Sequence, residues 1–521
     1  MNITQMEPNY WVTFGLMGVF LIGMIAVLYA TNQKSSDFSD YAVGGRSYGP
    51  FYIAMSYINS WWPGATFTAF FALTVSGVIG LYGIVYATLG VTAMYLMAKR
   101  AWVWGKKFNL RTQPDLLGMR YNSDAVKRVA SIIGIICVLP WVVLGIQALG
   151  MLIEFASFGR WDVKTCLVAG VVLIFIRQYW TVSMGMRGLI MTDVYQGIIA
   201  YGFSSLIFVA LMFGDYAHFS HLSELPEKML IVPGATDSGY GRYYMFSIIF
   251  SGIIGSMCWP MSFQRIYTAS GIRAVKKGTL LTILFVGGFY ALLCLYALAV
   301  SQHPTVLANP QLGIFYTLLE TGGVWLLAMA IIIVLAASIG HVDGCVQVCG
   351  TQFANDLATW NKARTDRQLT ILAKSGMVFF ILLAAILAYA TFNFTRLQLL
   401  AQIAYQGIIQ LSIPLFFGIF TRFGNKQGAL AGMSIGILLS IVLTIFYPDD
   451  IPGLGSLTSG IVGLAANFVV FVIFGLLIPH DEKEIQRIDA LFVEDQPEVQ
   501  SAEGLAPPTH VTRLETKRET R

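Results

Sequence analysis

Charge is scarce in this sequence. Asp, Glu, Lys and Arg make up 12% of its 521 residues, against 56% hydrophobic, and the mean hydropathy is +0.67. A soluble core cannot absorb that much apolar surface. The first nine residues, MNITQMEPN, hold no positive side chain, which argues against a cleaved signal peptide and predicts that the first apolar run is retained. None of the six cysteines (Cys137, Cys166, Cys258, Cys294, Cys345, Cys349) falls in a predicted exterior loop, so no disulfide framework is implied. Cys345 and Cys349 lie one turn apart and read as small packing residues rather than a soft-metal pair. No GxxxxGK[ST] loop occurs; Gly105-Lys106-Lys107 lacks the Ser or Thr after its lysine, so an ATP-driven pump is not supported. The net charge of +5 sits largely in predicted inner loops and fits anionic lipid, not nucleic acid.

What the chain does have is thirteen long apolar runs. They fall at 10–30, 50–77, 78–98, 129–157, 163–183, 189–213, 243–262, 279–302, 323–348, 371–391, 397–420, 429–446 and 457–478. Each reaches or approaches the roughly 20 residues a helix needs to cross a hydrocarbon core. The bilayer leaves the helix as the spanning element, because each segment must satisfy its own backbone groups. The expected fold is therefore an all-α membrane protein of about 13 transmembrane helices. With the N-terminus outside, twenty Lys and Arg fall in inner loops, among them Lys34, Arg46, the eight between Lys99 and Arg128, Arg187, Arg265 and Lys362. Five fall outside: Arg160, Lys164, Lys228, Arg242 and Arg396. The positive-inside rule then places the C-terminus in the cytoplasm. Beyond Ile478 the chain is polar, with a short amphipathic helix expected at 481–493 and a disordered tail after it.

Two runs are broken. The second holds Asn59-Ser60-Trp61-Trp62-Pro63-Gly64, and the seventh holds Gly252, Gly255 and Cys258-Trp259-Pro260. Proline removes a helix donor and clashes with the preceding turn. The two runs are five spans apart and so cross in opposite directions, as inverted repeats of spans 2–6 and 7–11 require. Paired breaks of this kind mark a transporter's central site. The division that follows is 1–49 (an extra span and inner loop), 50–213 and 243–420 (the repeats), 429–478 (two further spans) and 479–521 (a cytoplasmic tail).

Ionisable residues at membrane depth cost roughly 2.5–3.5 kcal/mol each on insertion scales, so each needs a partner or a task. Asp193 reads either as a cation relay or as a carboxylate paired with Arg187 or an inner-loop lysine. Arg177 and Lys374 read as snorkelling side chains, and Glu154 as solvated near the outer surface. His341 and Asp343 lie in the inner half of the ninth run. The histidine either titrates or donates to a substrate, or it is a neutral ring bonded to a carbonyl of a broken helix.

Several motifs carry a family resemblance over roughly 10–478: Tyr41-Ala42-Val43-Gly44-Gly45-Arg46-Ser47, Pro114-Asp115-Leu116-Leu117 with Arg120-Tyr121, Gly188-Leu189 with Thr192-Asp193-Val194-Tyr195-Gln196, Pro260 with Gln264-Arg265, and Asn425 with Gly428-Ala429-Leu430-Ala431-Gly432-Met433. Each is weak alone. Together and in order they resemble the sodium:solute symporter family. The resemblance implies the leucine-transporter type of two inverted five-helix repeats. It also implies a sodium ion held by backbone carbonyls of Asn59, Trp62 and Ala337. The family's two hydroxyls, in a "STaDS" stretch, align with Gly340 and His341 of Gly340-His341-Val342-Asp343-Gly344. A hard cation wants oxygen ligands, so the fold follows from the resemblance but sodium coupling does not.

The substrate pocket is expected between the breaks, lined by Asn59, Trp61, Trp62, Trp259, Tyr405, Gln406 and Gln410. Cation coupling is expected at Asn59, Trp62, Ala337, Gly340, His341 and Asp193. The aromatics suit a planar or cationic group. These observations predict a secondary transporter, not an enzyme, importing a small polar organic solute, an amino acid or carboxylate first, across the cell membrane. No cofactor is expected beyond Na+ or H+ as coupling ion, and the partners are the solute and the lipid bilayer. The rivals are a proton-coupled or uncoupled carrier, and a sensor or channel on the same fold.

Overall fold

A computed structural model describes residues 9–31, 35–232, 234, 241–359, 363–392 and 397–493. Lys34, Lys362, Arg396 and the tail beyond 493 lie outside the described residues. The spanning helices and half-helices, in chain order, are α1 (Tyr10–Ala30), α2 (Pro50–Trp61), α3 (Gly64–Val75), α4 (Tyr82–Lys107), α5 (Asp124–Ala156), α6 (Val163–Met184) and α7 (Met186–Leu211). They continue as α8 (Tyr244–Gly255), α9 (Pro260–Thr268), α10 (Ile272–Ala299), α11 (Gly313–Gln352), α12 (Asp366–Thr391), α13 (Leu397–Ile408), α14 (Ser412–Phe420), α15 (Lys426–Phe446) and α16 (Ser459–Leu477). Among the described residues twelve helices are long and apolar enough to cross a membrane, and the broken α2–α3 pair adds a shorter apolar helix, Gly64–Val75. No strand occurs among the described residues.

The breaks fall where the prolines put them. Pro63 sits in extended backbone at the N-cap of α3, and Pro260 is the first residue of α9. Proline is tolerated there because the amide it lacks would have no helical partner. The start of α3 runs against α11 so closely that a β-carbon on Gly64 would overlap the Val334 carbonyl and the Ser338 hydroxyl. Only glycine permits that approach.

Several helices run past the apolar runs. The basic segment expected as a 99–128 loop is largely helical, with Lys99 to Lys107 inside α4 and Lys127 and Arg128 inside α5. The turn between them carries a short helix, Gln113–Arg120, tied to the end of α11. Lys127 Nζ is 2.5 Å from Asp115 and 3.4 Å from Asp356, and Asn355 donates to Asp115 at 2.7 Å. The segment leading into α2 and the end of α9 are joined through the backbone. Tyr48 N–H donates to the Thr268 carbonyl at 3.2 Å, and Ser270 N–H to the Tyr48 carbonyl at 2.9 Å.

The amphipathic helix expected at 481–493 forms as α17 (Glu482–Val493). It buries Ile488, Leu491 and Phe492, the last with Arg100 4.4 Å and Arg422 5.1 Å from its ring centroid.

Candidate functional site

The two breaks face one another across a small cavity of about 30 Å³. Its walls are mostly aromatic: Trp61, Trp62, Trp259 and Tyr405, as expected, with Tyr86 and Trp141 added. Trp141 meets Trp259 edge-on at 6.2 Å, and Trp259 meets Tyr405 at 5.6 Å. His341 also lines the cavity, 6.5 Å from the Trp141 ring. The volume holds two or three waters, so the rings are packed nearly against one another.

Three polar atoms on these rings are buried with no hydrogen-bond partner among the described residues: Trp141 Nε1, Trp259 Nε1 and the Tyr405 hydroxyl. A tryptophan N–H can only donate. A buried donor left unpaired costs about 1–3 kcal/mol, a cost that a ligand bringing acceptor oxygens to these rings would remove.

The other expected residues are placed differently. Gln410 Nε2 donates to Gln406, Ser440 and Gly460, which turns it toward α15 and α16. Gln406 packs on Gly460. Neither reaches the aromatic cavity. Asn59 points the other way, into a polar cluster between α2, α7 and α11. Its Nδ2 donates to Asp193 at 3.1 Å and to Gln196 at 2.8 Å. A β-carbon on Gly340 would overlap this amide. Gly340 therefore does more than omit a hydroxyl. It opens the space that the Asn59 side chain occupies.

Breaking α2 frees its last carbonyls, and protein donors take them. His341 Nδ1 lies 2.7 Å from the Ser60 carbonyl, which requires the proton on Nδ1. Its Nε2 is 3.5 Å from the Cys345 thiol. Tyr201 OH donates to the Ile58 and Trp62 carbonyls, each at 3.3 Å. Of the alternatives for His341, the ring bonded to a carbonyl of the broken helix is the one observed. Ala337 is buried nearby on α11, and the Ser338 hydroxyl beside Gly64 is buried without a partner among the described residues.

Two ion pairs lie beneath the break. Asp193 is paired with Arg265 at 3.3 Å, not with Arg187, which binds Asp40 at 2.8 Å. Arg265 also donates to Ser60, to Ser56 at 2.9 Å and to the Met261 carbonyl at 3.1 Å. Arg177 does not snorkel. It is buried against Asp343 at 2.7 Å and held by Thr181 and Thr192, both at 2.8 Å. Arg265, Asp193 and Asp343 side chains are 0% exposed. Each buried charge has one opposite partner, as membrane depth demands.

Sequence reasoning missed Arg265 and Trp141 as site residues. Arg265 was assigned to a loop because the apolar run stops at 262, whereas α9 continues to Thr268. Trp141 follows Pro140 inside α5, and that pairing was the available signal.

The comparisons with known proteins agree with this fold. A family model described as the sodium:solute symporter family matches residues 41–436. An uncharacterized symporter of Bacillus subtilis, YhjB, is 24% identical over 488 residues, covering 89% of this chain and 96% of its own length. The sodium/proline symporter of Escherichia coli K12 is 24% identical, covering 88% of this chain and 92% of its own. A monocarboxylate transport permease protein of Rhizobium johnstonii is 21% identical, covering 88% and 95%. Among solved structures, a Na+-coupled sialic acid symporter matches with TM-score 0.73 at 17% identity, covering 90% of this chain and 98% of its own. Mhp1, a nucleobase-cation-symport-1 family transporter, matches with TM-score 0.54 at 13% identity. With that family model spanning both broken helices and the polar cluster beneath them, the chain belongs to the sodium:solute symporter family and is a multi-pass, secondary active solute transporter.

Proposed function

We propose that this transporter imports a small organic solute bearing a carboxylate, with weak dependence on sodium. The carrying observation is the set of three unpartnered donors on the rings between the breaks. A ligand that brings acceptor oxygens removes their cost, and its apolar body replaces ring-to-ring contact. Relatives described as proline and monocarboxylate transporters support the same class.

Weak sodium dependence rests on the oxygens near the break. Residues 340 and 341 supply no hydroxyl, and the Ser60, Ile58 and Trp62 carbonyls already accept from His341 and Tyr201. A hard cation would compete with those donors for the carbonyls, and the uncommitted side-chain oxygens beside the break are Ser338 Oγ and Asn59 Oδ1. Proton coupling through His341 has less support. Its hydrogen-bond partners are a carbonyl and a thiol, neither of which supplies a countercharge for an imidazolium.

The two repeats, 50–213 and 243–420, are the bodies between which the cavity opens alternately. The N-terminus lies outside and the C-terminus in the cytoplasm of the cell membrane. The test is uptake into proteoliposomes at fixed pH and voltage, with sodium varied against choline-free potassium buffer. Uptake varying less than about twofold across the sodium series supports the reading, and steep sodium dependence returns the protein to ordinary sodium symport.

A further inference from the structure

The aromatic cavity has no formal charge in its wall. Among the described residues its lining includes no Asp, Glu, Lys or Arg. The ion pairs beneath the break, Arg265–Asp193 and Arg177–Asp343, are each internally balanced. A ligand with net charge would leave water for such a site without a counterion, and that is expensive. A bare carboxylate meets this difficulty directly, since the neighbouring seam is poor in cation ligands. A ligand that carries its own positive group does not.

The wall also says which kind of positive group fits. A primary ammonium needs three acceptors. The wall offers such a group no carboxylate, only the neutral hydroxyls of Thr66, Tyr86 and Tyr405 and the His341 ring, and Thr66 and Tyr86 are already engaged with Pro63 and Trp62. What the wall offers in quantity is ring surface, from Trp61, Trp62, Trp141, Trp259, Tyr86 and Tyr405. Aromatic faces hold a cation that has no N–H to satisfy, through the ring quadrupole, and tryptophan does so best.

We propose that the transported solute is a net-neutral zwitterion of the betaine class, its fully alkylated ammonium among the tryptophan and tyrosine rings and its carboxylate on the donors of Trp141, Trp259 and Tyr405. This rests on reading the aromatic cavity as the solute site. It deepens that reading by naming the cationic half of the ligand. It also implies that translocation of the solute alone moves no net charge.

The experiment uses the full-length protein in proteoliposomes and compares four unlabelled competitors against uptake of radiolabelled N,N,N-trimethylglycine. They are trimethylglycine itself, 3,3-dimethylbutanoate, glycine and choline. The butanoate has the same shape and the same carboxylate, with carbon in place of the charged nitrogen. Trimethylglycine is expected to compete at least about tenfold better than the butanoate, the fold-change that a desolvated cation–π contact supplies. Glycine and choline should each be weaker. Trp141→Leu and Trp259→Leu should bring the trimethylglycine-to-butanoate ratio toward one. That ratio is independent of how much variant protein folds.

Equal competition by the butanoate, or uptake of glycine in preference to trimethylglycine, overturns the zwitterion inference and leaves the carboxylate reading standing. Wild-type transport of any solute by Trp259→Leu and Tyr405→Phe would instead remove the cavity as the solute site, and both readings with it.

Discussion

The Asn59 side chain lies over the Cα of Gly340, in the space a β-carbon would fill, and from there it donates to Asp193 and Gln196. A residue on the broken helix is thereby locked to α7 through a gap in α11. Restoring a serine at 340 does not restore a sodium ligand, because the hydroxyl's place is taken.

Gly340→Ser should therefore destabilise the protein by about 1–3 kcal/mol, the usual cost of overpacking, and should not raise sodium dependence. Gly340→Ser combined with Asn59→Ala should recover most of the stability. Thermal melts of the three variants in one detergent check this. A stable single variant with new sodium dependence contradicts it.

The Arg265–Asp193 pair gives a second expectation. Asp193→Asn leaves a guanidinium buried without its countercharge, at a cost of about 3–5 kcal/mol. Asp193→Asn with Arg265→Met removes both charges and should be more stable than the single variant. A double variant as poor as the single one would show that the pair is not an energetic unit. Melting temperature and membrane yield are the readouts.

Removing one oxygen atom tests the cavity donors. Tyr405→Phe should raise KM for the solute roughly three- to tenfold with yield unchanged, the net worth of one hydrogen bond. Trp259→Phe keeps an aromatic face and loses only the donor and one ring, so it should be milder than Trp259→Ala. Initial-rate uptake at a series of solute concentrations separates these outcomes.

The inner cluster predicts a pH effect. Burial opposes ionisation of Asp115, but Lys127 at 2.5 Å outweighs it and holds the carboxyl below its usual range. A carboxylate held low contributes stability at neutral pH that is lost only as pH falls below about 4. In Lys127→Met the same buried carboxyl lacks its nearest cation, and protonation becomes favourable. The variant should be less stable than wild type at pH 7, with the difference shrinking toward pH 5. A difference that stays constant over that range would rule this account out.

Orientation is open to labelling. Ser223 is exposed in the segment before α8, and Lys106 is exposed near the inner end of α4. Ser223→Cys should react with an impermeant thiol reagent on intact cells, and Lys106→Cys only after lysis. Labelling of Lys106→Cys alone on intact cells would invert the topology.

Much of this was legible in the chain. Hydropathy placed the twelve helices long enough to cross because the bilayer enforces helix over any apolar run of sufficient length. Pro63 and Pro260 placed both breaks because a proline acts locally on its own turn. The partners of buried charges were not legible. The sequence leaves Asp193 as a cation relay or as the partner of Arg187 or a loop lysine, and the carboxylate is bound instead to Arg265 on α9. Gln406 and Gln410 share a helix end with Tyr405, yet their side chains leave the cavity for α15 and α16. Hydropathy reports depth in the membrane and says nothing of azimuth around a helix.

The join between Tyr48 and the strand-like residues after Thr268 is made by amide and carbonyl groups alone. Such a staple is blind to side-chain identity. Any residue with an amide proton serves at 48 or 270, so drift in letters leaves it intact. Chain length is another matter. One residue added between Arg46 and Pro50 shifts the amide out of register and frees the inner halves α2 and α9 from each other. The seam therefore tolerates substitution and forbids insertion, and a gap in an alignment at that point would signal a carrier whose two inner half-helices swing apart.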